Sequence, residues 1–202
     1  MVVGLCATVI ALLAIGWAAR HRSGQSIERA SITAESIVML GDSITEQGPW
    51  DVPFATGPIV NRGYHSLTTA QLVDVAREIA VDEPSAIYIL AGTNDIRDGH
   101  PPEWTLEHYA QILDELDSGA PATTVVIQTI LPRQDLSNEV LATNLAIREL
   151  AAERGIEVLE LHAVFDDGSG GLRAEDTTDG LHLTETGNRR WADFLRSELS
   201  AP

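Results

Sequence analysis

Residues 38–48 read VMLGDSITEQG. Val38, Met39 and Leu40 form an apolar run that stops abruptly at Gly41, and a serine follows two residues later. Gly, Asp and Ser are ordinary turn formers, so the stretch alone fits a plain strand end. It equally fits a strand-to-helix turn that presents Ser43 as a nucleophile. The rest of the chain has to choose between them.

From Ser36 onward, short apolar runs alternate with helical patterns. The runs are Ile37–Leu40, Pro58–Val60, Ala86–Leu90, Thr124–Thr129 and Glu157–Leu161. They are largely unalternated and rich in Val and Ile, as strands buried on both faces of a parallel sheet must be. Between them lie amphipathic segments. In Thr68–Ala80, Leu72, Val73, Val75, Ala76, Ile79 and Ala80 share one helical face, and Asp74, Arg77 and Glu78 share the other. Trp104–Asp117, Ser137–Arg154 and Thr184–Ser200 are the further helices, with Thr184 placed to cap the last. Repeated strand–helix alternation predicts an α/β fold, a doubly wound sandwich with helices on both faces of a five-stranded parallel sheet. In such sheets ligands bind outside the carboxyl ends of the strands. That rule gathers Gly41-Asp42-Ser43, Asn61-Arg62-Gly63 and Ala91-Gly92-Thr93-Asn94-Asp95 at one edge.

A serine hydroxyl needs an adjacent base, usually an imidazole oriented by a carboxylate, and donors for the developing oxyanion. Of the six histidines, His182 stands in Asp179-Gly180-Leu181-His182, just before the final helix. A three-residue spacing within one turn lets Asp179 reach the Nδ1 side of that ring. Asp42 and Asp95 read as loop-ordering residues. His65, His100, His108 and His162 lack such a carboxylate and read as surface or packing residues. Ser169 sits among glycines and reads as a loop serine. Asp166-Asp167 and Glu175-Asp176 lack a metal-ligand spacing, so neither a metal nor a cofactor is expected.

These blocks resemble the SGNH hydrolases, also called GDSL esterases. The resemblance rests on Gly41-Asp42-Ser43-Ile44-Thr45, Asn61-Arg62-Gly63, Gly92-Thr93-Asn94-Asp95 and Asp179-Gly180-Leu181-His182, in that order over about residues 36–198. It implies a flavodoxin-like three-layer α/β/α fold, with Ser43, His182 and Asp179 as catalytic triad. It also implies an oxyanion hole from the N–H groups of Ser43 and Gly63 and the side-chain amide of Asn94. Read without the resemblance, Gly63 is a turn glycine and Asn94 a helix cap. The blocks look most like the compact acetylhydrolase- and carbohydrate acetylesterase-like branch, which implies short acyl esters of a carbohydrate or lipid. Lysophospholipase or thioesterase specificity, or a non-catalytic binding module, are the alternatives. The Gly-x-Ser-x-Gly elbow of the α/β-hydrolases is absent. Trp50, Tyr64 and Ile96 follow the blocks and are candidate pocket walls.

The formal net charge is −17 and all 13 basic residues are arginines, so no basic surface for nucleic acid is present. A single cysteine, Cys6, allows no internal disulfide. Residues 2–19 carry no charge, and Arg20-His21-Arg22 follows. As a helix this stretch is about 27 Å long, near the ~30 Å of a bilayer core. It reads as a membrane anchor over residues 1–22 or as a signal segment, with residues 23–35 as linker and 36–202 as the hydrolase domain. The trailing arginines favour a cytoplasmic domain by the positive-inside rule, whereas the family resemblance favours the other side. A small-molecule ester is the expected partner, and oligomeric state is not encoded in any pattern found.

Overall fold

The computed structural model describes residues 30–50 and 57–199. The uncharged stretch 2–19, and the apolar helix expected there, lie outside the described residues. Among those described, no helix is long and apolar enough to cross a membrane.

A turn at Thr33–Ser36, closed by Ser36 N–H to Thr33 O at 2.9 Å, feeds β1 (Ile37–Gly41). A single turn α1 (Ser43–Glu46) follows, then β2 (Ile59–Gly63), α2 (Thr69–Ala80) and β3 (Ala86–Leu90). The chain continues through a short α3 (Thr93–Arg97), α4 (Pro102–Gly119), β4 (Thr124–Gln128), α5 (Ser137–Arg154), β5 (Glu157–Leu159), α6 (Leu161–Phe165) and α7 (Glu185–Leu199). All four strand pairings are parallel, in the order β2-β1-β3-β4-β5. This is the flavodoxin-like order, whose topological switch lies between β1 and β3.

Alternate residues of the buried strands face two separate cores. Val38, Leu40, Ile87, Ile89 and Ile127 pack with Leu72 and Ile79 of α2, Tyr109 and Ile112 of α4, and Ile147 of α5. On the other face Met39, Tyr88, Leu90 and Val126 pack with Leu161 and Phe165 of α6 and Trp191 and Leu195 of α7. Trp191 is fully buried, and its indole N–H donates to Gln128 Oε1 at 2.8 Å. Local signals set the helix ends. Pro102 opens α4, where its missing N–H would be unpaired in any case, and Gly155 in the left-handed region closes α5. Thr184 caps α7 through Gly187 N–H to Thr184 Oγ1 at 3.2 Å.

Strand boundaries match expectation to within one residue except at the ends of β2 and β5. β2 runs on through Asn61-Arg62-Gly63, which therefore forms the end of an edge strand rather than a loop. Asn61 and Arg62 are only half-buried there, so their polar groups are not sealed from solvent. β5 stops at Leu159: Leu161 already belongs to α6, whose His162 N–H is taken by Thr129 Oγ1 at 2.9 Å.

Candidate active site

The register of β1 with β2 sets Gly41 beside Gly63. A side chain at Gly41 would overlap Leu90 O and Thr45 Oγ1, and one at Gly63 would overlap Glu46 N. These two glycines let α1 descend onto the carboxyl edge of the sheet. Asp42 starts α1, accepting from Ile44 N–H at 2.9 Å, and Ser43 is its first residue. Asn61 holds the other end, with Nδ2 donating to Glu46 O at 2.9 Å.

Ser43 is 5% exposed, and its Oγ lies 3.1 Å from His182 Nε2 although 139 residues separate them in the chain. His182 Nδ1 lies 2.8 Å from Asp179 Oδ2. A carboxylate only accepts, so Nδ1 carries the proton of the neutral ring and Nε2 is left as acceptor for the serine hydroxyl. The turn that carries both residues is internally bonded. Asp179 Oδ1 accepts from Leu181 N–H at 2.9 Å and from His182 N–H at 2.8 Å. Thr177 Oγ1 donates to His182 O at 2.8 Å and accepts from Gly180 N–H at 3.0 Å. The hydrogen bond from the His182 ring, followed by these two backbone donors, holds the Asp179 carboxyl well below the usual carboxylate range. The turn is anchored to α7, since Arg190 Nε meets the fully buried Asp176 carboxylate at 2.9 Å.

Asn94, 4% exposed, stands in α3 behind Gly92, whose φ of 114° is open only to glycine. Its Nδ2 donates to Leu67 O at 2.9 Å and its Oδ1 accepts from Arg97 Nη1 at 2.7 Å. Asp95 is fully buried and accepts from Thr69 N–H at 2.9 Å and Thr69 Oγ1 at 2.7 Å. It thereby caps α2 from α3 rather than ordering a loop of its own. Burial pushes the Asp42 carboxyl up to about 7, against the opposing bond from Ile44 N–H. Burial also raises Asp95.

The structure thus brings Ser43, His182 and Asp179 into one line, whereas Gly63 is engaged elsewhere. Its N–H donates to Asn61 Oδ1 at 2.8 Å. The candidate pocket walls each have partners of their own. Trp50 packs edge-on against Trp191, ring centres 4.9 Å apart, and donates to Thr45 O. Ile96 belongs to the core beneath α2 and α4, and Tyr64 faces a small cavity with Ile32 and Val75. His100 stacks on Trp104 at 3.8 Å, and His65 is exposed. Ser169 is exposed in a loop closed on Asp167. Among the described residues no group of three or more His, Cys, Asp or Glu is placed to hold a metal. A cavity of about 550 Å3 opens at the opposite edge, between Leu116, Thr124, Arg154 and Glu157, and holds no nucleophile–base pair.

The sequence motifs give no role to Arg97, Thr177 and Asn144, and name Asn61 without the bonds it makes. Asn144 brackets the loop after β4 by accepting from Ile130 N–H at 2.7 Å and donating to Ile130 O at 2.9 Å. Asn61, Thr177 and Asn144 act on backbone groups and Arg97 on the Asn94 side chain, so residue type alone does not mark these roles.

A doubly wound parallel sheet with serine, imidazole and carboxylate aligned at its carboxyl edge defines a hydrolase of the SGNH class. The family model for GDSL-like lipases and acylhydrolases matches residues 39–190, and the chain belongs to that family of carboxylic ester hydrolases. A comparison with curated proteins gives no match. Among solved structures the chain is similar to a protein from Streptococcus pneumonia described as a platelet activating factor, at 26% identity and TM-score 0.74, over 95% of this chain and 99% of that one. A GDSL-like lipase from Bacteroides thetaiotaomicron is 19% identical with TM-score 0.71, over 91% and 95%. An acetylxylan esterase from Geobacillus stearothermophilus is 16% identical with TM-score 0.70, over 85% and 96%. The last two likenesses are of fold.

Proposed function

We propose that this protein cleaves short-acyl esters, of acetyl type, from a carbohydrate or lipid alcohol through a Ser43–His182–Asp179 triad. The observation that carries the reading is the continuous hydrogen-bonded line from Ser43 Oγ through the His182 ring to Asp179 Oδ2. In the first step His182 Nε2 takes the hydroxyl proton as Ser43 Oγ bonds to the ester carbonyl carbon. The carbonyl electrons move onto oxygen, and the oxyanion is met by Ser43 N–H, which as the first of a helix has no intrahelical partner. The second N–H of Asn94 Nδ2 meets it too. Gly63 N–H becomes a third donor by turning from Asn61 Oδ1 to the oxyanion. Collapse breaks the bond to the leaving alcohol, which receives the proton from His182. Water then repeats the sequence on the acyl-enzyme, its proton passing through His182 back to Ser43 as the acid departs. Asp179 holds the tautomer and steadies the imidazolium.

The likeness to an acetylxylan esterase fold supports the acetyl and carbohydrate part of the reading. The uncharged stretch 2–19 supports a membrane-tethered form, which fractionation of the full chain tests. A fluorophosphonate probe with Ser43→Ala as control tests the nucleophile: labelling that survives the substitution removes Ser43. A panel of p-nitrophenyl esters from acetyl to palmitoyl, with a thioester, tests the acyl part. A maximum at long acyl chains or at the thioester overturns acetyl specificity while leaving the triad intact.

A further inference from the structure

Asn94 can serve an oxyanion only with its amide in one of two orientations. A primary amide has a donor end and an acceptor end, and exchanging them would turn the carbonyl toward the reacting oxygen. The surroundings of Asn94 choose. Leu67 O accepts from Nδ2, and Arg97 Nη1 donates to Oδ1 at 2.7 Å. In the exchanged orientation donor would face donor at Arg97 and acceptor would face acceptor at Leu67. One N–H of Nδ2 remains outside this pair of bonds.

Arg97 is itself held. Asp98 takes its Nε at 2.7 Å and its Nη2 at 3.1 Å, a two-point grip on the planar guanidinium that leaves Nη1 aimed at Asn94. The spacing of three residues on the one-turn α3 brings Arg97 over Asn94, and Asp98 N–H closes that turn on Asn94 O at 3.0 Å. A cation bound to an amide oxygen draws electron density from the nitrogen end and strengthens the remaining N–H as donor.

We propose that Arg97 is a positioning residue for ester hydrolysis, acting through Asn94: it fixes the amide with its free N–H toward the oxyanion and polarises it. The proposal rests on the reading of Asn94 as oxyanion donor. Arg97 touches neither substrate nor Ser43 in this role. Its charge also faces the buried carboxyls of Asp42 and Asp95, so loss of activity on its removal does not by itself identify the route.

A double-mutant cycle identifies it. Arg97→Ala, Arg97→Lys, Asn94→Ala and the double variant Arg97→Ala/Asn94→Ala are made in the full chain and assayed on p-nitrophenyl acetate. Loss of the Asn94 donor lowers kcat by roughly 100- to 1000-fold. Arg97→Ala lowers kcat by roughly 10-fold with KM within about twofold, a coupling usual for two side chains in contact. Arg97→Lys, which restores charge and a donor without the two-point grip, recovers part of the loss. In the Asn94→Ala background, Arg97→Ala changes kcat by less than about twofold. The proposal falls if Arg97→Ala costs the same factor in both backgrounds, which assigns its effect to Asp42, Asp95 or general structure. It falls equally if Arg97→Ala alone leaves kcat unchanged. An Asn94→Ala variant at the parental rate overturns the oxyanion reading of Asn94 and this inference together. The nucleophile is judged apart from both, by fluorophosphonate labelling of Ser43.

Discussion

Replacing Asp179 by asparagine changes one atom and should invert the chemistry of the site. Asp179 Oδ1 already accepts from Leu181 N–H and His182 N–H, and only Oδ2 faces the imidazole. An asparagine here has one accepting oxygen, and two backbone donors compete for it. The oxygen must therefore take the Oδ1 position, because an NH2 group there would face two N–H groups. The NH2 then stands at the Oδ2 position, 2.8 Å from Nδ1, and donates to it. With Nδ1 made an acceptor, the neutral ring carries its proton on Nε2, which can no longer accept from Ser43 Oγ. The wrong tautomer in such triads costs about 10⁴ in kcat, close to 5.5 kcal/mol of transition-state stabilisation at 1.36 kcal/mol per tenfold. The turn itself should persist, since both backbone bonds keep their acceptor. Steady-state hydrolysis of p-nitrophenyl acetate gives kcat, and ¹⁵N chemical shifts of the His182 ring report the tautomer. A variant within about tenfold of the parent, or one with Nδ1 still protonated, refutes the reasoning.

Gly63→Ala keeps the backbone N–H but puts a methyl group onto Glu46 N and Thr45 C. The expected result is a loss of about 1–3 kcal/mol in urea unfolding with a fall in kcat, because α1 and Ser43 must shift. Full activity would show that α1 is not seated by this contact. Trp191→Ala removes a fully buried side chain bonded to Gln128, and a loss of about 3–5 kcal/mol is expected in the same measurement. Asp42→Asn tests a linkage. The Asp42 carboxyl titrates near 7 when folded, against a reference value of 3.8. The unfolded chain releases that proton first, so its contribution to stability is full below pH 3.8 and falls as pH rises to about 7. The depressed Asp179 acts in the opposite sense and only below its reference value of 3.8, outside that window. Unfolding free energies at intervals from pH 4 to 8 should show a shallower decline in Asp42→Asn, and an unchanged slope would exclude the linkage.

Much of this protein was legible as sequence because local physics writes it there. A strand buried on both faces must be apolar throughout, so β1, β3 and β4 were readable as runs, and α2 and α7 as faces at helical spacing. Asp179 and His182 lie within one turn, so their pairing was readable from spacing as well. Arg62, by contrast, is a strand residue despite its charge, because β2 is an edge; no local rule announces which strand that will be. The pairing of Ser43 with His182 was implied by the resemblance and by no local spacing, and its geometry belongs to the tertiary structure. So do the engagement of Gly63 by Asn61, the capping of α2 by Asp95 and the grip of Arg97 on Asn94. Asn61 and Arg97 stand only two or three residues from their partners, but a hydrogen bond is set by the direction of each donor and acceptor. Those directions are fixed only when α1, α3 and the turn before α7 are packed against the same sheet edge. Residue types and their order determined which chemistry was available, and packing decided which atoms of those residues face one another.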